Sequence, residues 1–100
     1  MAIIRFSLQS EADVERFVRL ANTFAGDINV RSVHNHSVVV DGKSFISVVR
    51  LNLNDTLEAE LVSSDKQSIC ILADQIRQCF PLSEYAACGC PQTATSMTHD

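Results

Sequence analysis

Three stretches of this sequence hold residues of kinds that do chemistry: Gly42-Lys43-Ser44, the pair His34 and His36, and Cys88-Gly89-Cys90. A Gly-Lys-Ser triplet can end a phosphate-binding loop whose backbone amides wrap a nucleotide phosphate, but that loop needs a glycine five positions earlier. The place is Ser37, and Val38, Val39, Val40 and Asp41 fill the interval. A valine run belongs in a strand, so nucleotide hydrolysis is set aside. Asp41-Gly42-Lys43-Ser44 reads instead as the end of a strand hairpin and the start of a short helix. Ser44 is then a helix cap whose hydroxyl accepts a hydrogen bond from a free amide of the first turn, worth about 1 kcal/mol. A phosphoryl group on it would sit near the surface, at the positive end of a helix dipole. Structural zinc takes four ligands from paired motifs. Cys88-Gly89-Cys90 stands without a second pair, and two histidines flanking Asn35 in a turn are usually solvent-exposed, so neither a metal nor another cofactor is expected.

The bulk chemistry narrows the classes further. One hundred residues, 46% hydrophobic and 20% charged, make one globular domain and exclude a disordered chain. The formal net charge of −4 comes with eight scattered Lys and Arg residues. Nucleic-acid binding needs clustered basic charge to displace counterions, so it is not expected. No apolar run approaches the roughly 20 residues that cross a bilayer. Met1 to Phe6 has the pattern of a strand, not of a secretory leader. All four cysteines lie in the last third, so they are not expected to staple the domain. Cys70 and Cys79 fall in a helical pattern and read as reduced thiols in a cytoplasmic setting.

The elements that must position these residues follow from periodicity. Ile4, Phe6 and Leu8 alternate with polar neighbours, the pattern of a half-buried strand. Ser10 followed by Asp13 is a capping-box variant. Val14, Phe17, Val18, Ala21 and Phe24 then form one apolar helical stripe, with Gly26 as its stop through a left-handed backbone. Asp27–Val33 and His36–Val40 predict a hairpin. Phe45, Ile46, Val48, Val49 and Leu51 form a short second helical stripe, about half of which should be core. Leu57, Ala59 and Leu61 alternate with Glu58 and Glu60, which predicts a fourth strand with one wet face. Ser63-Ser64-Asp65 caps a last helix, in which Ile69, Leu72, Ala73, Ile76 and Phe80 face inward and which Pro81 follows. The expected order is β-α-β-β-α-β-α, an α/β chain of the α+β kind. Residues 1–81 form the domain. Residues 82–100, poor in core residues, form a flexible C-terminal tail.

Phe17-Val18-Arg19-Leu20-Ala21-Asn22-Thr23-Phe24, Asp27-Ile28-Asn29-Val30 and Asp41-Gly42-Lys43-Ser44-Phe45-Ile46, in this order and spacing, resemble HPr, the small histidine-containing phosphocarrier of the bacterial sugar phosphotransferase system. The resemblance spans about the first eighty residues. It implies an HPr-like open-faced sandwich, a four-stranded antiparallel sheet with three helices on one face. It also implies that Ser44 matches the serine that a regulatory kinase phosphorylates in some members. The chain departs from the family where HPr carries its phosphohistidine, at the start of the first helix, followed closely by arginine and proline. Those places hold Ser10, Ala12 and Asp13, and Glu11, Asp13 and Glu15 surround them with negative charge. A phosphate there meets like-charge repulsion, and a serine ester lacks the transfer potential of a phosphoramidate.

The resemblance therefore implies a regulatory or docking protein of the phosphotransferase system, cytoplasmic and without enzymatic turnover. Ser44 is its candidate phosphorylation site, with Lys43, Phe45, Ile46 and Val49 as candidate contacts for a kinase or another protein of the system. Two other readings stand beside it: a phosphocarrier working through a non-standard site, and a structural or oligomerising domain with no transport role.

Overall fold

Period-two alternation builds the sheet. In the strands β1 (Ala2–Phe6), β2 (Asp27–Ser32) and β4 (Leu57–Val62), every second side chain enters the core. Ile4, Phe6, Ile28, Val30, Leu57, Ala59 and Leu61 are all buried, as the alternation requires. The computed structural model describes residues 2–51, 55–80 and 83–88. Among these the remaining elements are α1 (Glu11–Ala21), β3 (Asn35–Asp41), α2 (Phe45–Val49), α3 (Lys66–Cys79) and β5 (Glu84–Cys88). The strands lie in the order β3-β2-β4-β1-β5, with each neighbouring pair antiparallel. The first seven elements follow the expected β-α-β-β-α-β-α order, and no helix among the described residues is long and apolar enough to cross a membrane.

The helices bury the stripes their spacing predicts. Val14, Phe17 and Ala21 of α1 meet Ile69, Leu72, Ala73 and Ile76 of α3 in one core. Phe6 of β1 stacks on Phe17, with ring centroids 4.8 Å apart, and lies 6.2 Å from Phe80 at the end of α3. These aromatic contacts fix the middle of α1 and the end of α3 against the sheet.

Four features differ from the sequence expectation. The sheet has a fifth strand, Glu84–Cys88, pairing with β1. It lies inside the stretch read as a flexible tail; residues 89–100 fall outside the described set. Its sequence carries no β-branched residue and one strand-favouring residue, Tyr85, so its extended form owes more to the open edge of β1 than to propensity. Gly26 does not end α1 in a left-handed turn, because the helix stops at Ala21 and no glycine among the described residues has a positive φ. Its requirement is space: a Cβ there would lie 2.1 Å from the Val62 carbonyl oxygen. Cys70 is buried and disulfide-bonded, whereas Cys79 is a half-buried free thiol. Spacing does not reveal which thiols meet; α3 packs against β1, beside which β5 runs, so the last third of the chain returns over its first strand.

The fourth difference is on the sheet face away from the helices. Glu58, expected on a wet face, is 5% exposed. Arg5 on β1 and Arg31 on β2 stand beside it in register and donate to its carboxylate from Nε at 2.9 and 3.2 Å. Their long side chains cover it, as amphipathic stems do. The Arg5 hydrogen bond, with the charges of Arg31, Arg5 and His36 in support, holds the Glu58 carboxyl below its ordinary value.

Candidate functional site

Two helices begin with a serine, and both beginnings carry expected functional residues. At the start of α1, Ser10 is extended and its Oγ accepts from the Asp13 amide at 3.2 Å. The Asp13 carboxylate reaches back to accept from the Gln9 amide at 2.9 Å, completing a capping box one residue wider than usual. Arg16 pairs with the same carboxylate at 2.5 Å, and its guanidinium lies 5.5 Å from the centroid of the Phe80 ring. The Gln9 amide first, then Arg16, keep the Asp13 carboxyl below its ordinary value. The start of α1 therefore holds an exposed serine beside an ionised carboxylate, and the nearby arginine is already paired with that carboxylate. A cavity of about 180 Å³ opens here, lined by residues that include Gln9, Asp13, Arg16 and Cys79.

The start of α2 is built differently. The Gly42 amide donates to the Ile28 carbonyl at 2.8 Å, and a Cβ at Gly42 would lie 2.6 Å from Ile28 Cγ2. The chain can press this closely on β2 only with glycine. The Asp41 carboxylate accepts from the Lys43 amide at 2.9 Å, an Asx turn that leads into the helix. Ser44 caps α2, its Oγ accepting from the Ser47 amide at 3.3 Å. The first turn of α2 holds no acidic residue.

The four candidate contact residues separate. Phe45 and Ile46 are exposed to 38% and 63%, so two large apolar side chains face solvent directly after the cap. Val49 is half-buried and packs on the core beside the buried Val48. Lys43 is tied: its Nζ donates to the Phe24 carbonyl at 2.6 Å, and Asn22 donates to the Lys43 carbonyl at 3.1 Å. Lys43 thus fastens the start of α2 to the loop after α1, while Ser44, Phe45 and Ile46 share one end of α2.

The β2–β3 turn holds an arrangement that the sequence did not announce. His34 Nδ1 meets Asp55 Oδ1 at 2.5 Å, and His36 Nε2 approaches Glu58 at 3.5 Å. Ser32 donates to the second Asp55 oxygen at 2.5 Å, and the Thr56 amide donates to the first at 2.8 Å. These bonds, that of Ser32 first, hold the Asp55 carboxyl below its ordinary value. Asp55 lies 21 residues from His34, in the polar break before β4, where no periodicity marks it. Among the described residues no group of three His, Cys, Asp or Glu side chains is placed to hold a metal ion.

No family model matches the chain, and no curated protein matches it in sequence. Solved structures do. HPr-C-His from Thermoanaerobacter tengcongensis superposes with a TM-score of 0.60 at 18% identity, over 81% of this chain and 97% of that one. The phosphocarrier protein HPr from Bacillus anthracis str. Ames aligns with a TM-score of 0.44 at 22% identity, over 74% of this chain and 96% of its own. The first of these carries the fold: under a sheet edge extended by β5, this chain has the open-faced architecture of an HPr phosphocarrier protein.

Proposed function

We propose that the protein is a regulatory or docking member of the phosphotransferase system that recognises a protein partner through the start of α2 and does not relay phosphate from the start of α1. The observation that supports it is the contrast in exposure: Phe45 and Ile46 project into solvent beside the Ser44 cap, while Val48 of the same helix is fully buried. An exposed aromatic and an exposed isoleucine side by side suit a protein interface. Ser44 is the phosphorylation site in this reading. A phosphoryl group there adds about −1.5 to −2 charges beside the apolar pair and meets no carboxylate in the first turn. The modification would change the partner's affinity, and the protein itself would turn over no substrate.

The test is labelling followed by binding. Incubation with ATP and an HPr-directed kinase should give an acid-stable phosphate that Ser44→Ala abolishes. Ile46→Asp should weaken capture of the kinase without changing the thermal midpoint by more than a degree or two. An acid-stable label that survives Ser44→Ala, or kinase capture indifferent to Ile46→Asp, would overturn the reading. Phosphoenolpyruvate and the general phosphotransfer enzymes should put no phosphate on Ser10. A cytoplasmic location belongs to the same reading. Disulfides such as that of Cys70 are rare in the cytosol, so thiol trapping in intact cells checks the location: a reduced, trappable Cys70 supports it, and a Cys70 still oxidised in the cell overturns it.

A further inference from the structure

The end of α3 meets the start of α1 around a cavity of about 180 Å³, and the free thiol of Cys79 is in its wall. Phe80 joins the other members of that wall. Its carbonyl accepts from the Ser83 amide at 2.9 Å, and its ring lies 5.5 Å from the Arg16 guanidinium. Arg16 pairs with Asp13, whose carboxylate also accepts from the Gln9 amide. Cys79 directly precedes Phe80 as the last residue of α3 and is half-buried against the core.

Two features of this cavity call for an occupant. Ser83 is 9% exposed, and among the described residues its Oγ is the one buried side-chain polar atom without a hydrogen-bond partner. Such a hydroxyl carries its full desolvation cost until something bonds to it. The second feature is the Asp13–Arg16 pair. The Gln9 amide and Arg16 keep Asp13 ionised, so the rim presents adjacent charges of opposite sign. They cancel toward a ligand of net charge, but they match a zwitterion laid across them head to tail, ammonium on carboxylate and carboxylate on guanidinium. Both groups have hydrogen-bonding capacity beyond the bond that joins them, so the pair meets a zwitterion without parting. The volume is below the roughly 300 Å³ at which pockets for drug-sized ligands begin, so the occupant is small. A free α-amino acid supplies the zwitterion, and a sulfur atom on it lets it bond to Cys79.

We propose that Cys79 is a thiolation site at which an amino-acid disulfide of the cystine class leaves one half bound, its zwitterion across Asp13 and Arg16 and within reach of the Ser83 hydroxyl. Cys79 gives its proton to water, and the thiolate attacks one sulfur of the free disulfide. The new S–S bond forms as the old one breaks. The electron pair leaves on the second half as a thiolate, which takes a proton from water. Cys79 is oxidised and the departing half is reduced, so no other oxidant enters. This site is independent of the docking face on α2, since none of its residues is Ser44, Phe45 or Ile46.

The experiment treats the full chain, without reductant, with three disulfides: L-cystine, cystamine, which lacks the carboxylates, and dithiodiglycolate, which lacks the amines. Peptide mass mapping follows the adduct at Cys79, and each rate is divided by the rate for the urea-unfolded chain. The ratio for cystine should exceed those of the other two roughly tenfold, the worth of one charge-assisted hydrogen bond. Asp13→Asn and Arg16→Gln should each reduce that preference several-fold; Arg16→Gln keeps the capping box and so tests the pair even where Asp13→Asn loosens α1. Dithiothreitol should release the bound half several-fold faster from Ser83→Ala than from wild type. No adduct at Cys79 in the folded chain, equal ratios for the three disulfides, a preference unchanged in both Asp13→Asn and Arg16→Gln, or equal release from Ser83→Ala would overturn the proposal. Kinase capture through Ile46 is unaffected by any of these outcomes, so the two readings fail separately.

Discussion

The starts of α1 and α2 differ little as caps and greatly as sites. Both serines are extended, and both hydroxyls accept from the amide three residues on, at 3.2 Å from Asp13 and 3.3 Å from Ser47. Around Ser10 the first turn carries Glu11 and Asp13, and the nearest guanidinium is spent on Asp13. Around Ser44 the first turn carries no acid, and two apolar side chains face solvent. Cap geometry thus says where a helix begins, whereas the charge and exposure of the next few residues say what the start can receive. Each helix start can be perturbed separately, and the largest effect is expected where the backbone has no slack.

Gly42→Ala should cost about 2 kcal/mol or more, because its Cβ would press into Ile28 and Val30 in the core and the start of α2 would have to move off β2. Gln9→Ala, just ahead of Ser10, loses only an exposed side chain and should fall within about 0.5 kcal/mol of wild type. Urea unfolding compares the two. A Gly42→Ala cost as small as that of Gln9→Ala would show that α2 is not fixed by close approach to β2.

Asp13→Asn comes next, at about 1–2 kcal/mol, from the weakened bonds to the Gln9 amide and Arg16. The effect has a pH signature. The folded carboxyl lies below its ordinary value of 3.8, so its stabilisation is complete above that pH and is lost as the pH falls through the lower folded value. Wild type and Asp13→Asn should therefore converge in acid. Ser47, the matching residue of α2, should show no such convergence when replaced by alanine. A pH-independent Asp13→Asn difference would remove the ionised capping box from the start of α1.

The contrast between the two helix starts was only partly legible in the sequence. Ser10 and Ser44 announced themselves as caps, because a serine ahead of an apolar stripe has a local mechanism. Val14, Phe17 and Ala21 announced the buried face of α1 in the same way, as Ile4 and Phe6 did for β1. What stayed hidden depends on residues far apart in the chain. Lys43 reads as a free cation until Phe24, 19 residues away, supplies a carbonyl for it. Glu58 reads as a wet-face acid until Arg5, 53 residues away, lies over it. His34 reads as a turn residue until Asp55 arrives from the break before β4. Strand β5 has only Tyr85 to favour a strand and takes its form from the edge of β1. Periodicity reports what an element buries; it is silent on which polar groups the topology then brings together.

Removing each cap separates geometry from surroundings more finely. Ser10→Ala should cost about 1 kcal/mol, since it leaves the Asp13 amide without its acceptor at the head of an eleven-residue helix. Ser44→Ala should cost about half as much, because α2 is only five residues long and is held by Val48 and Lys43 as well. Equal costs would mean that the caps act alone, without help from what packs behind them.

The smallest effect is the sharpest test of the charge difference. Aspartate is as good a cap as serine, so Ser10→Asp and Ser44→Asp keep both helix starts and change only their charge. At Ser44 the new carboxylate meets no acid in the first turn, and the stability should stay within about 0.3 kcal/mol of wild type. At Ser10 it joins Glu11 and Asp13, and like-charge repulsion should cost about 0.5 kcal/mol. Repulsion between exposed charges is screened by salt. The gap between the two variants should therefore close as ionic strength rises toward 1 M, where the Debye length is about 3 Å. A gap that persists in high salt would place the difference between the two helix starts in cap geometry and not in charge.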